Sequence, residues 1–333
     1  MYVTRPLSLY KKYPSALSLP PPEGPNSVLN HPLSSNRYYA IKTQGSHKGE
    51  AYANSKEEDK GTCFCYSYVR DVPPKPLDPN DVDQQFEIFG KHAYGFGAKS
   101  VSPDGFPPYF LRTRWRVHTS TPRNFKLGDD AQGIDTTLRS RLPDFNFPLS
   151  YRSSQPVVVG KWYSPFMFIR DIGSTLKDQM RRSLYYEITL EQTWERMFAC
   201  EHDDNAGQGN AVVVDAVVPR EVVSVAGREA VDVNAIDGMM WFRSFSEEGR
   251  EISAGLSLVV VERMKWEQER VGWVGGEEKQ VKLKRVEEFG GNGGWRKFGF
   301  YVLVERFVVK RIDGSLVLTY DFNHIQQTMI KWE

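Results

Sequence analysis

The stretch Phe298-Gly-Phe-Tyr-Val-Leu-Val-Glu-Arg-Phe-Val-Val-Lys-Arg-Ile-Asp-Gly-Ser-Leu-Val-Leu-Thr-Tyr-Asp-Phe322 decides the fold class. Two runs of β-branched and aromatic residues flank Asp313-Gly314, a dipeptide suited to the two positive-φ positions of a type I′ hairpin turn. Around that turn Val309 and Phe307 oppose Leu318 and Tyr320 on one face, while Arg306 opposes Asp321 on the other. A slip of one residue would carry Asp321 among the apolar groups, so the pattern pins the register. The first strand is apolar at every position from Phe300 to Val304. That end is expected to be covered on both faces, and the end at Asp313 to be wet.

Outward from this hairpin, alternating runs predict strands over 188–199, 211–218, 221–225, 239–245, 256–266 and 281–286. Turn signals at Pro219-Arg220, Ala226-Gly227, Gly275-Gly276 and 290–294 separate them, as in an antiparallel sheet with hairpin connections. One helix is expected near 174–185, with Ser174 as N-cap and Leu176, Met180 and Leu184 along one stripe. Upstream, 62–69 reads as a strand that carries Cys63 and Cys65 on one face. The segment 89–150, rich in Gly, Pro and aromatics, reads as long loops folded over a sheet, broken by one alternating run at 109–117. The fold class is therefore mainly β: a β-rich α+β protein with an antiparallel sheet, long hairpins, one main helix and long Pro/Gly/aromatic loops. The expected divisions are a Pro-rich arm over 1–36, with polyproline II at Pro20 to Pro22 and packing through Leu17, Leu19 and Leu29, then an irregular β-rich region over 37–150 and an antiparallel β domain over 151–333. Val259-x-Val261-Glu262-Arg263-Met264 echoes Val302-x-Val304-Glu305-Arg306-Phe307, as amphipathic strands generally do.

The 333 residues carry 43 Lys+Arg against 42 Asp+Glu, so no global field draws the chain to nucleic acid or an anionic membrane. Three cysteines at 63, 65 and 200, an odd number, form no disulfide framework and fit a reducing compartment. The start lacks the apolar core of a signal peptide, and no run approaches the ~18 apolar residues of a membrane span. A soluble cytoplasmic protein is the expectation.

No catalytic signature stands out. Asp203-x-Asn205-x-Gly207 suggests a calcium loop, but Val214 stands where an EF-hand needs its bidentate Glu. Cys63 and Cys65 with His47 or His92 lack the second ligand pair of a zinc site, so neither metal nor cofactor is expected. Ser253 between Gly249 and Gly255 lacks the strand-to-helix elbow of a nucleophile, and Gly95-x-Gly97 lacks the helix of a phosphate loop. Glu187, Glu191 and Glu195 alternate along a strand and read as a solvated face rather than a glycosidase pair. The best interaction candidate is the aromatic run Trp162, Tyr163, Phe166 and Phe168 beside Lys177, Arg181 and Arg182. It reads either as a core strand with the helix beside it, or as a surface that meets a protein partner or lipid headgroups.

Met1-Tyr-Val-Thr-Arg-Pro-Leu-Ser8, Pro20-Pro-Pro-Glu-Gly-Pro-Asn26, Pro32-Leu-Ser-Ser-Asn-Arg-Tyr-Tyr39, His47-Lys-Gly-Glu50, Gln84-Gln-Phe-Glu-Ile88 and the closing Asp313 to Phe322 resemble the plant family catalogued as domain of unknown function 1262. The resemblance implies a plant source and carries no activity, cofactor or binding residue. Against the family pattern, a β-rich segment is missing between Asn26 and Pro32, which would leave an unpaired sheet edge or an exposed apolar face. The functional expectation is a non-enzymatic interaction or binding protein, with a peripheral membrane or lipid-binding protein and a glycan-binding or glycan-acting protein as alternatives.

Overall fold

The computed structural model describes residues 7–9, 15–17, 37–42, 45–63, 66–78, 80–91, 95–113, 133–202, 210–276, 278–291 and 294–333. Short strands come first: β1 (Leu7–Leu9), β2 (Ser15–Leu17), β3 (Arg37–Tyr39), β4 (Lys60–Cys63), β5 (Tyr66–Val69), β6 (Gln85–Lys91) and β7 (Gly95–Ser100). Then follow α1 (Tyr109–Arg112), α2 (Thr136–Arg141), β8 (Val157–Pro165), β9 (Ile169–Arg170) and α3 (Leu176–Arg182). The remainder is strand upon strand: β10 (Tyr185–Glu201), β11 (Ala211–Pro219), β12 (Glu221–Val225), β13 (Arg228–Glu229), β14 (Asp232–Ile236), β15 (Met239–Phe245) and β16 (Glu251–Ser257). After α4 (Leu258–Glu269) come β17 (Gln280–Glu288), β18 (Lys297–Lys310) and β19 (Leu316–Trp332). The protein is mainly β, its sheets antiparallel, as the alternating runs predict.

The chain divides into two compact units, neither of them a continuous stretch: 1–133 with 163–187 and 310–315, and 134–162 with 188–309 and 316–333. In the first, β3, β6 and β7 form a three-stranded sheet, and Tyr38, Phe86, Ile88 and Phe96 are buried. Helix α3 packs on the 166–169 segment through Gln179, whose Nε2 donates to the carbonyls of Phe166 and Ile169 at 3.2 and 2.8 Å. Beside it the Arg311 guanidinium grips Asp171 with two parallel bonds, Nε to Oδ2 at 2.7 Å and Nη2 to Oδ1 at 2.6 Å, and the Tyr186 hydroxyl adds a third at 3.0 Å.

In the second unit the main sheet has the order β13-β12-β19-β18-β10-β8. Its interior is β18, buried at every residue from Phe298 to Glu305, whereas Asp313, Gly314 and Ser315 at the turn are exposed. The predicted face assignment holds: the Phe307 ring meets Phe322 at 5.9 Å, Phe322 stacks on Tyr320 at 4.6 Å, and Arg306 Nε donates to Asp321 at 2.7 Å. A two-stranded ribbon of β11 and β17 covers part of the sheet. Its inward residues Val212, Val214, Ala216 and Val218 join Trp295, Phe298, Phe300 and Val302 in one cluster, while Val213, Val217 and Val286 point outward with Lys282 and Lys284.

Four expectations are corrected. The Asp313-Gly314 loop is not type I′: Gly314 alone has positive φ (84°), and the loop closes as three residues, with Arg311 N–H donating to the Ser315 carbonyl at 2.8 Å. Asp313 instead caps its own turn, accepting from Ser315 N at 2.9 Å and Ser315 Oγ at 2.6 Å. Type I′ geometry falls at Ala226-Gly227 (φ 49° and 80°) and Asp237-Gly238 (φ 50° and 74°), which close two-residue hairpins. The helix expected at 174–185 is shorter and capped one residue later, by Thr175, whose Oγ1 accepts from Asp178 N at 3.3 Å. The run 62–69 is a hairpin of β4 and β5 rather than one strand.

The fourth correction is the largest. Most of the run 256–266, expected as a strand, belongs to helix α4 over 258–269, so the expectation of one main helix fails. The buried positions Val260, Val261, Met264, Glu267 and Gln268 follow helical spacing, and two of them are polar, which hid the stripe from a hydrophobicity reading. On the outer face Arg263 and Arg270, three before and four after Trp266, lie over its ring at 3.9 and 4.7 Å. The Val259-to-Met264 echo of β18 therefore lies on a helix, and the two segments share sequence rhythm but no structure. The arm residues Leu19, Leu29 and Pro20 to Pro22, along with Cys65, His92, 114–117 and 203–209, lie outside the described residues.

Candidate functional site

The second unit contains an open groove of about 410 Å³, and the elements that form it explain its shape. One wall belongs to a strap over 143–150, where Phe145, Phe147 and Leu149 alternate like strand residues. Their side chains pack with Trp194, Tyr301 and Leu303, and both phenyl rings meet Tyr301 edge-on at 5.1 and 5.4 Å. Gly299 makes the approach possible: a Cβ there would fall 2.4 Å from Leu149 Cδ2 and 2.8 Å from Tyr301 Cε2.

Four hydrogen bonds fasten the strap. Trp194 Nε1 donates to the Pro143 carbonyl at 2.9 Å, Lys331 Nζ to the Phe147 carbonyl, and Arg196 Nη1 to the Leu149 carbonyl. Leu149 N–H donates to Glu333 Oε1 at 2.7 Å.

The opposite wall is the end of β10, with Arg196, Ala199, Cys200 and Glu201, and the start of β18, with Lys297 and Phe298. Lys297 Nζ lies 3.6 Å from Glu201 Oε1, and both side chains are more than half exposed, at 53% and 78%. Such a pair holds each partner loosely. Burial pushes the Cys200 thiol above its usual range, so near neutrality it is a thiol rather than an attacking thiolate. The groove thus offers positive charge, a hydroxyl from Ser150 and an apolar floor, a set suited to holding a ligand.

A second cluster is richer in acid–base groups but sealed. Arg139 of α2 donates from Nε to Glu305 Oε1 at 2.8 Å, from Nη2 to Glu305 Oε2 at 2.5 Å and from Nη1 to Glu267 Oε1 at 2.7 Å. Gln192 Nε2 donates to Glu305 Oε1 at 2.8 Å, and His324 Nε2 lies 2.9 Å from Gln268 Oε1. Burial pushes the Glu305 pKa up, but the hydrogen bonds and charge of Arg139, with His324 and Gln192, more than offset it and hold the carboxyl below its ordinary range. Burial lowers the His324 pKa against the pull of Glu305, which keeps the ring neutral near pH 7. Two carboxylates and a histidine around one guanidinium have the content of an acid–base site. With Arg139, Glu267, Glu305 and His324 all buried, however, the cluster forms part of the core.

The structure distributes the interaction candidates between core and surface. Trp162, Phe166 and Phe168 are buried, Trp162 with its ring 6.0 Å from Phe307, and Tyr163 is half-buried. Lys177, Arg181 and Arg182 are exposed on α3. Of the alternating glutamates, Glu195 accepts from Arg306 Nη2 at 3.0 Å and Glu191 from Thr189 Oγ1 at 3.2 Å, as on a solvated ladder face. His47 pairs with Glu50 at 2.6 Å, and among the described residues no three His, Cys, Asp or Glu side chains gather as metal ligands. Ser253 sits within strand β16, and Gly95 and Gly97 within β7. Sequence reading missed Arg196 and Lys297, whose separation along the chain left only the isolated Cys200 as a signal.

Comparison with known proteins adds a family for one segment. Residues 26–66 match the family described as Protein of unknown function (DUF1262), a span that includes Pro32 to Tyr39 and His47 to Glu50. None of the curated proteins matches the chain. Among solved structures, the crystal structure of Cry35Ab1 aligns over 90% of this chain and 78% of that one, with 9% identity and a TM-score of 0.32. A superposition that loose bears on neither fold nor function. No helix among the described residues is long and apolar enough to cross a membrane.

Proposed function

We infer that the protein is a non-enzymatic binding protein whose ligand site is the groove between the 143–150 strap and the adjoining ends of β10 and β18. One observation carries this reading: a concavity of about 410 Å³ with two cationic side chains and an apolar floor, walled by a strap held through four hydrogen bonds. Its size falls in the range of small-molecule sites, roughly 300–1,000 Å³. The Cys200 thiol is held neutral, and the main acid–base cluster is closed to substrate, which favours holding a ligand over transforming it. The odd cysteine count suits work in a reducing compartment.

The test is a fragment screen by NMR on the intact protein and on Ala199→Trp, a substitution at an exposed groove position. Fragments that perturb the groove in the parent and lose that effect in the variant support the reading. Hits that bind both proteins equally, or none from a chemically broad set, refute it.

A second reading rests on the exposure of Lys177, Arg181 and Arg182 on α3, which would meet an anionic surface while Trp162, Phe166 and Phe168 stay in the core. Co-sedimentation with vesicles of rising anionic lipid content checks it, and binding that ignores reversal of these three charges rules it out.

A further inference from the structure

We propose that the ligand of the groove is a small organic carboxylate: an apolar body that ends in one carboxylate group. This rests on the groove being the binding site and adds the chemical class of its occupant. The charges of the lining residues decide the sign. Among the lining residues Arg196 and Lys297 supply two positive charges and Glu201 one negative, and the strap's charged anchors Lys331 and Glu333 cancel each other, a net +1 that complements a monoanion. The arrangement decides the shape. Leu149 and Phe298 line the groove beside the cations and are almost fully buried, so a ligand that satisfies both halves is amphipathic with a short apolar body.

Arg196 is pre-organised for the charged end. Its Nη1 is engaged by the Leu149 carbonyl, which fixes the orientation of a planar group with five donors, and such a fork matches a carboxylate better than a point charge does. Lys297, joined to Glu201 only across 3.6 Å at a well-exposed position, can transfer its contact to an incoming anion at little cost. The half-buried Cys200 thiol in the same wall takes no part in binding and serves as a reporter of occupancy.

The experiment compares hexanoate with hexanol, which lacks the charge, with acetate, which lacks the body, and with inorganic phosphate. Affinity is measured by calorimetry, and occupancy by the rate of Cys200 alkylation with iodoacetamide, read by peptide mass so that Cys63 and Cys65 do not interfere. Hexanoate is expected to slow alkylation and to bind about tenfold more tightly than the other three, the factor that ~1.4 kcal/mol provides. Lys297→Gln, at an exposed position, is expected to weaken hexanoate about fivefold and leave hexanol unchanged. Equal affinity for hexanol and hexanoate, tighter binding of phosphate, or indifference of hexanoate to Lys297→Gln overturns the carboxylate class while the groove remains a binding site. Failure of all four probes to bind or to protect Cys200 overturns the carboxylate and counts against the groove itself.

Discussion

Each unit sets an arginine against a buried carboxylate, and the two clusters differ in how they are closed. In the first, one acid meets one base: Asp171 is 3% exposed, but Arg311 keeps 21% of its side chain in water, near the hairpin turn. In the second, two acids share one base: the side chains of Arg139, Glu267 and Glu305 are 6%, 7% and 1% exposed, and Arg270, its side chain 48% exposed and 3.2 Å from Glu267, adds a second cation. Hydrogen-bond geometry is equally good in both, so it does not set their energetic weight. The weight lies in what remains when a partner is lost: a carboxylate that water reaches through the vacated Arg311 position, or two carboxylates that face each other in a dry core.

The contrast predicts the largest effect for Arg139→Ala. It should destabilise the second unit by about 3–5 kcal/mol, measured by denaturant unfolding, because it strands two buried charges. Arg311→Ala should cost the first unit about 1.5–3 kcal/mol, the range for a hydrogen bond to a charged group. Equal losses at the two sites would erase the distinction between them.

Protonation attacks the same contrast from another side. The His324 pKa is lowered in the folded state, so below about pH 6.5 the unfolded chain takes up a proton that the buried ring refuses, and stability falls with pH. Glu305, lowered as well, contributes stability that is present above its ordinary value near 4.5 and is lost as pH falls through its folded pKa. His324→Asn should remove the slope that begins below about pH 6.5, at most about 1.4 kcal/mol per pH unit, and leave the contribution of Glu305 in place. A slope unchanged in the variant would assign it to other groups. The smallest effect is expected at the turn beside Arg311. Gly314→Ala, at φ 84°, should cost about 1 kcal/mol in thermal unfolding, the penalty of a Cβ in the left-handed region.

These clusters mark the limit of what the sequence discloses. Strands β12 and β15 coincide with the runs 221–225 and 239–245 because each has local alternation, and β18 is interior because its apolar run is continuous. Helix α4 escapes a hydrophobicity pattern for the reason that makes it matter: Glu267 and Gln268 occupy core positions, and their partners Arg139 and His324 lie 128 and 56 residues away. The two Asp-Gly turns make the same point at short range. Asp313 has Ser315 to bind and stays out of type I′, whereas Asp237-Gly238 adopts it, so the dipeptide sets the options and its neighbour selects. The groove was least legible, since Arg196 and Lys297 carry no spacing signal and meet only after the sheet forms.

The outward face of the β11–β17 ribbon has a consequence for handling the protein. Val213, Val217 and Val286 are 54%, 59% and 63% exposed, and β17 pairs only with β11 among the described residues. Lys282 and Lys284 stand on that face, Lys282 paired with Asp215 at 3.1 Å, and lysines so placed deter another chain from adding a strand. Acetylation of those two amines would remove both positive charges and the Lys282–Asp215 pair while leaving the core cluster beneath intact, and would favour self-association through this ribbon.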